Sequence, residues 1–272
     1  MRKIPLLAYR LYAFLKKDLQ NDISYRFSFT VRWLGLIMTV FMFYYLAQLI
    51  DANPAGDLKD YGGYFSFTLI GLAAVSFFNA HVGGYAGTVL GEQRVGTLEI
   101  FLTTSTGLPT ILLSFALYNI VMGGLAALLH VLLGGYLGVD FSQSDFFSCF
   151  VVLGLSTIIF LSLGVMASSC LLIFKRGDPL TWLVTNLFWI LGGAYFPVSV
   201  FPQWLQAVSS WIPSTYSLRA IRLAILQGYS PGMLKNEIVI LFIFSIALLF
   251  LSYFLAKITV SHIRRRGTVT FY

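Results

Sequence analysis

Residues 110–139 read TILLSFALYNIVMGGLAALLHVLLGGYLGV, a run without a single Asp, Glu, Lys or Arg. An α-helix rises 1.5 Å per residue and the hydrocarbon core of a bilayer is about 30 Å thick, so roughly 20 such residues suffice to cross it. The run is continuously apolar. It lacks the alternation of apolar and polar positions over about 10 residues that a membrane β-barrel strand requires. Tracts of the same kind recur at 33–50, 64–90, 146–174, 180–196 and 238–256. The reading is an all-α polytopic membrane protein with six transmembrane helices. Composition agrees: of 272 residues, 58% are hydrophobic and 11% charged, against about 25% charged in an ordinary globular domain. The mean hydropathy is +0.81.

The chain divides into a cytoplasmic amphipathic segment (1–32), a six-span domain (33–262) and a basic cytoplasmic tail (263–272). Residues 1–32 lack the apolar core and small-residue cleavage site of a signal peptide. Lys3, Arg10 and Lys17 recur every seven residues, while Ile4, Leu7, Leu11, Phe14 and Leu15 gather on the opposite side of a 3.6-residue helix. That pattern predicts an interfacial helix with its basic stripe toward headgroups or water. With both termini cytoplasmic, 14 of the 18 Lys and Arg residues fall on the inner side. Lys59, Arg219, Arg222 and Lys235 are left outside, as the positive-inside rule expects for the cell membrane. The net charge of +7 therefore reports orientation, and nothing else in the sequence supports nucleic-acid binding. Cys149 and Cys170 lie about 30 Å apart on one expected helix and cannot bridge.

Just upstream of the opening run lies GEQRVGTLEIFLTTSTGLP (91–109). Gly96 can break the second crossing, and Thr97 can cap a new helix. Glu99 in its first turn suits the positive end of the helix dipole, Leu98 and its apolar neighbours supply packing, and Pro109 can open the next crossing. The product is a short amphipathic helix on the cytoplasmic surface, flanked by Glu92 and Arg94. Carboxylates gain nothing from an anionic leaflet, so Glu92 and Glu99 point to a protein partner.

Three other features carry expectations. Lys175, Arg176, Gly177 and Asp178 form a cytoplasmic turn, with Pro179 opening the next helix. Gly83, Gly87 and Gly91, and Gly134 with Gly138, have the small-residue spacing that lets membrane helices approach closely. The polar residues inside the spans, Asn79, His81, Asn119, His130 and Asn186, are expected to hydrogen-bond neighbouring helices. Beyond the fifth tract, 201–235 mixes Pro202, Trp204, Trp211, Pro213 and Tyr216 with a helix over 216–227 closed by Gly228. Such a segment should lie in, or dip into, the outer interface. There Arg219 and Arg222 would share one face and snorkel to lipid phosphate.

The segment EQRVGTLE resembles the stretch between the second and third crossings of permease subunits in the ABC-2 type ATP-binding-cassette exporter family. GGAYFPVSVFPQWLQAVSSWIPSTYSLRAIRLAILQG (192–228) is similar to that family's late pattern. It carries the Gly-Tyr-Phe-Pro stretch with Pro197, the Pro-x-Trp-Leu turn at Pro202 and Trp204, Pro-x-Thr-Tyr at Pro213 and Tyr216, and the Arg-bearing helix with Arg219 and Arg222. The resemblance implies an elbow-like N-terminal helix. It further implies a coupling helix carrying Glu92, Arg94, Gly96, Thr97, Leu98 and Glu99 that docks on an ATPase, and a re-entrant external segment between spans 5 and 6. It implies two copies of an ABC ATPase and a second permease copy, a homodimer in the simplest case. No Gly-Lys dipeptide exists in the sequence, so no phosphate-cradling loop of the form G-x-x-x-x-G-K-[ST] is present. No catalytic residue, metal or cofactor is expected on this chain, and ATP and Mg belong to the partner. The GTLE-type segment looks more like the drug and small-amphiphile branch. The competing readings are an exporter of polysaccharide or lipid-linked glycan, and a membrane-embedded enzyme acting on lipid-linked substrate.

Overall fold

The computed structural model describes residues 6–50, 56–104, 107–174 and 179–266. Lys3, Ile4, the expected turn from Lys175 to Asp178 and the end of the basic tail lie outside these. The side chains of Leu7, Glu99 and Arg264 to Arg266 are likewise outside the description. Among the described residues the regular elements are helical. They run α1 (Leu6–Ser24), α2 (Arg26–Ile50), a 3-10 turn (Gly56–Tyr61), α3 (Tyr64–Asn79), a wide π-type turn (Ala80–Gly84), α4 (Tyr85–Val95) and α5 (Thr97–Thr103). There follow α6 (Leu108–Tyr136), α7 (Phe146–Phe174), α8 (Pro179–Leu191), α9 (Gln203–Ser209), α10 (Pro213–Gln227) and α11 (Lys235–Arg266).

Five described segments are long and apolar enough to cross a membrane: Arg26–Ile50, Tyr64–Val95, Leu108–Tyr136, Phe146–Ile173 and Lys235–Ile263. The first starts at Arg26 and not at Trp33, because the helix continues through the polar residues before the apolar tract. The tract expected to supply another crossing, 180–196, is helical only over Pro179–Leu191. Its 13 residues rise about 20 Å, short of the hydrocarbon thickness. Its end has a local cause: Gly193 adopts φ 78°, a left-handed conformation that glycine takes without steric cost. The Ser214 hydroxyl donates to the Phe188 carbonyl at 2.7 Å and ties down the last turn.

Helix starts follow the chain's prolines. Pro109 and Pro213 occupy the first turns of α6 and α10, and Pro179 begins α8, positions where a missing N–H leaves no bond unmade. α7 runs along α11 and packs on α10 and α4, while α3 packs on α6, α2 and α10. The main core centres on Phe78, stacked on Phe160 with ring centroids 4.0 Å apart and on Trp189 at 5.8 Å. At the π-type turn the His81 carbonyl backs so closely onto α7 that a Cβ at Gly164 would clash with it. By contrast α2 buries only Val40 and Ala47 and leaves Phe27, Val31, Leu34, Met38, Met42 and Leu49 exposed.

The glycine spacing behaves differently from expectation. A Cβ at Gly87 or Gly91 would meet nothing within 4 Å, and one at Gly83 only the Thr181 methyl at 3.9 Å, so these glycines do not sit at the tight helix contact expected of them. Gly134 does admit a close neighbour, Leu69, but Gly138 adopts φ 97° beyond the end of α6.

Candidate functional site

The end of the bundle that carries α5 is built around one carboxylate. Gly96 ends α4 in the left-handed region at φ 78° and also serves as the N-cap of α5. Thr97, expected as the cap, is instead the first helical residue. Its hydroxyl turns back to donate to the Glu92 carboxylate and, at 3.2 Å, to the Glu92 carbonyl. The other Glu92 oxygen accepts from Lys17 of α1. Lys17 therefore leaves the basic stripe expected to face headgroups. It also meets Asp18 Oδ1 at 3.2 Å and lies over the rings of Phe14 and Phe101 at 5.5 and 5.6 Å. Phe14 in turn packs on Phe101 of α5 at 5.0 Å and on Phe115 of α6 at 5.9 Å. Leu98 is buried beneath α5. So α1, α4, α5 and α6 meet through one ion pair and three phenylalanines.

Partial burial pulls the Lys17 ammonium toward its neutral form, yet the hydrogen bond to Glu92 and the attraction of Asp18 and Glu92 outweigh it and raise its pKa. Burial raises the Asp18 carboxyl, against the lowering influence of Lys17. Glu92 is thus committed inside the chain, where the sequence reading assigned it to a separate protein. What faces outward at this end is Arg94, Val95 and Ile100; Glu99 sits in the first turn of α5.

Beside this network opens a cavity of about 950 Å³ between α1, α2, the α3–α4 segment and α6. Its lining combines the charged Lys17, Asp18, Asp22, Arg32 and Glu92 with apolar Leu36, Leu72, Val75, Met122 and Ala126 and polar Thr39, Ser76, Asn79, Thr88, Asn119 and His130, and includes Gly87 and Gly91. Arg32 holds both oxygens of Asp22, at 2.8 and 3.3 Å, and the Tyr118 hydroxyl donates to the same carboxylate. None of Asp18, Asp22, Arg32 and Tyr118 was singled out as a site residue from sequence. The available signal was the pair of acids four residues apart, Asp18 and Asp22, which fall on one face of α1.

At the opposite end, the two arginines expected to share lipid phosphate part company. Arg219 is exposed and pairs with Glu237 of α11 at 3.6 Å. Arg222 is only 4% exposed. It donates from Nε to the Phe67 carbonyl at 3.1 Å, from Nη1 to Gly193 at 2.9 Å and from Nη2 to Ala194 at 2.8 Å. Its guanidinium lies 3.5 Å above the Phe67 ring. Snorkelling is excluded for it: α10 turns most of its surface, Pro213 included, into α3, α7 and α11. Gly71 makes room, since a Cβ there would clash with the Ala194 carbonyl. Pro202 and Trp204 are exposed, Pro197 and Tyr216 half-buried, and the Tyr216 hydroxyl donates to the Ser210 carbonyl at 2.9 Å.

Of the polar residues inside the spans, Asn79 accepts from the Trp189 indole at 3.0 Å and Asn119 donates to Thr88 at 3.1 Å, both across helices. His81, His130 and Asn186 instead donate to carbonyls one turn back in their own helices.

The description ABC-2 type transporter matches residues 9–226, from within α1 to the end of α10. No curated protein matches the chain. With helices that can cross a membrane five times over and a family match over most of its length, this chain belongs to the ABC-2 type transporter family, as its membrane permease component.

Proposed function

We propose that the permease moves a hydrophobic or amphiphilic cargo outward across the cell membrane by alternating access. It would work with a second copy of itself and two copies of an ABC ATPase, which bind ATP and Mg. The single observation that carries this reading is α5: a short helix braced from behind by Lys17, Glu92 and Phe14, with Arg94, Val95 and Ile100 left bare. A helix that passes a displacement on needs to be tied to its neighbouring helices and to keep an open contact face. On this reading both termini are cytoplasmic, Arg94, Val95 and Ile100 touch the ATPase, and Glu92 relays the displacement to α1. The half-length α8 and the residues after it complete the sixth crossing, with Trp204 and Trp211, both exposed, at the outer interface, where indoles favour the headgroup level. The GTLE-type segment and the mixed lining of the cavity favour a small amphiphile over a polysaccharide, which would need a polar path.

The test is the double variant Arg94→Glu with Ile100→Glu. Both side chains are exposed, so membrane levels should match the parent, while ATPase recovered with the permease from native membranes should fall about tenfold or more. That fall is the size expected when an interface anchor is lost and a like charge added. Parental recovery would remove α5 as the docking helix.

A further inference from the structure

Both cations that line the cavity of about 950 Å³ are already engaged. Lys17 holds Glu92 and Asp18 Oδ1, Arg32 holds Asp22, and Asp18 Oδ2 is sealed inside the protein. A charged ligand would therefore find no free counter-charge to offset its desolvation. The uncharged polar groups of the wall are placed differently. Thr39 and Thr88 give their hydroxyl protons to the Gly35 and Gly84 carbonyls, at 2.8 and 3.0 Å. Both amide hydrogens of Asn119 are used, on Thr88 at 3.1 Å and on the Phe115 carbonyl at 3.0 Å. His130 gives its Nδ1 proton to the Ala126 carbonyl at 2.8 Å, which in the neutral ring leaves Nε2 as an acceptor. What these four residues keep are lone pairs. Unlike His81 Nε2, which is fully buried without a partner, Asn119 Oδ1 and His130 Nε2 keep exposed surface, and both residues line the cavity. Donors are scarcer. They are the Asn79 amide, whose Oδ1 takes the Trp189 indole, and the Ser76 and Tyr195 hydroxyls, which can act either way. The Trp33 indole N–H is buried out of reach.

We propose that this cavity binds uncharged ligands rich in hydrogen-bond donors, polyhydroxylated ring systems above all, with their hydroxyls donating to Thr39, Asn119 and His130. The inference rests on reading the chain as an exporter of small amphiphiles and adds which polar groups the cargo carries. A ligand of ketones, ethers or esters presents only acceptors. It would set lone pair against lone pair, leaving groups on both sides stripped of water and unpaired. A hydroxyl brings the missing proton. On α2, α3 and α6 the polar positions are interspersed with Leu36, Leu72, Val75, Met122 and Ala126. The ligand's hydroxyls must therefore be distributed over an apolar body and not collected in one head. A rigid ring system holds such a distribution at little entropic cost, and the cavity's volume lies within the range of small-molecule sites.

The test is binding of tritium-labelled probes to the full-length permease in nanodiscs of zwitterionic lipid, with uptake by protein-free nanodiscs subtracted. Two probes share the cholane skeleton, a triol and the trione with oxygen at the same ring carbons, so that they differ only in whether those oxygens can donate. Two more are the triol with a carboxylate or an ammonium at the end of its side chain. The triol should bind saturably and about tenfold more tightly than the trione, a difference of about 1.4 kcal/mol, and more tightly than either charged derivative. Thr39→Val keeps the side chain's shape and should weaken the triol about threefold. Thr39→Val with His130→Phe should weaken it about tenfold, while the trione changes by less than about twofold. A trione that binds as well as the triol, or a triol preference untouched by the double variant, overturns the assignment. Tighter binding of a charged derivative overturns it as well, as does a parent protein that binds none of the four. The exporter reading is tested separately, by ATPase recovery with the Arg94→Glu and Ile100→Glu variant. Failure here beside the expected fall there removes the donor-rich ligand alone, and failure of both removes the exporter reading with it.

Discussion

The charges at the α5 end and the guanidinium of Arg222 are held in opposite ways. At the α5 end, charges answer charges across helices: Lys17 with Glu92, Arg32 with Asp22. Their partners are side chains, each with several rotamers, and Lys17 keeps 43% of its side-chain surface exposed. At the other end one cation, Arg222, is held by three backbone carbonyls and an aromatic face, all fixed in place by the helices and the turn that carry them. The first arrangement can shift and re-pair at modest cost, whereas the second has one geometry. On the function proposed above, the first joint would yield when the ATPase moves and the second would keep the remaining spans in register.

The comparison breaks most visibly at Arg222. Lysine lacks the planar fork and reaches one carbonyl where arginine reaches three. Hydrogen bonds to a charged group contribute about 1.5–3 kcal/mol each, so Arg222→Lys should destabilise the fold by about 3–5 kcal/mol. The readout is a large drop in the thermal midpoint of the detergent-purified protein, and an unchanged midpoint would show that the carbonyl cage contributes little. At the other joint, exchanging the charges as Lys17→Glu with Glu92→Lys should recover most of what either single change loses. The coupling energy expected from such a double-mutant cycle is about 0.5–1 kcal/mol, since half-exposed pairs are screened by solvent. Coupling as strong as the Arg222 effect would mean that the α5 end is rigid after all.

The smallest effect sharpens the contrast through pH. The Lys17 pKa is raised above its ordinary value of 10.5, so its stabilising pair is fully present below that value and is lost only as pH rises through the folded-state value. Hydrogen exchange of α1 amides, corrected for the intrinsic base-catalysed rate, should therefore stay flat from neutral pH to about 10 and accelerate above it. Acceleration near neutral pH would place the sensitive group elsewhere.

Much of this molecule was legible because it depends on local chemistry. Gly96 ends α4, Gly228 closes α10 at φ 66°, and Pro109 opens α6, each from the backbone preference of a single residue. The long spans were legible from unbroken apolarity. What could not be read were partners distant in sequence: Glu92 lies 75 residues from Lys17 and Arg222 lies 155 from Phe67. A lysine in a basic stripe looks the same whether it faces lipid or a carboxylate, and an arginine near tryptophans looks interfacial until the carbonyls around it are in place. Leu180 to Phe196 was read as a full crossing because hydropathy does not register the backbone break at Gly193.

The wide turn at Ala80–Gly84 has a consequence for phase. A π-type turn accommodates one residue more than an α-turn, and each residue advances the helix by about 100°. Everything after Gly84 is therefore rotated by roughly a third of a circle from where an uninterrupted helix would carry it. Both halves of the rod line the cavity, Leu72 and Val75 from α3 and Gly87, Gly91 and Glu92 from α4, and the offset sets the angle at which Glu92 meets Lys17. One continuous rod thus meets its neighbours with two angular settings, one on each side of the turn.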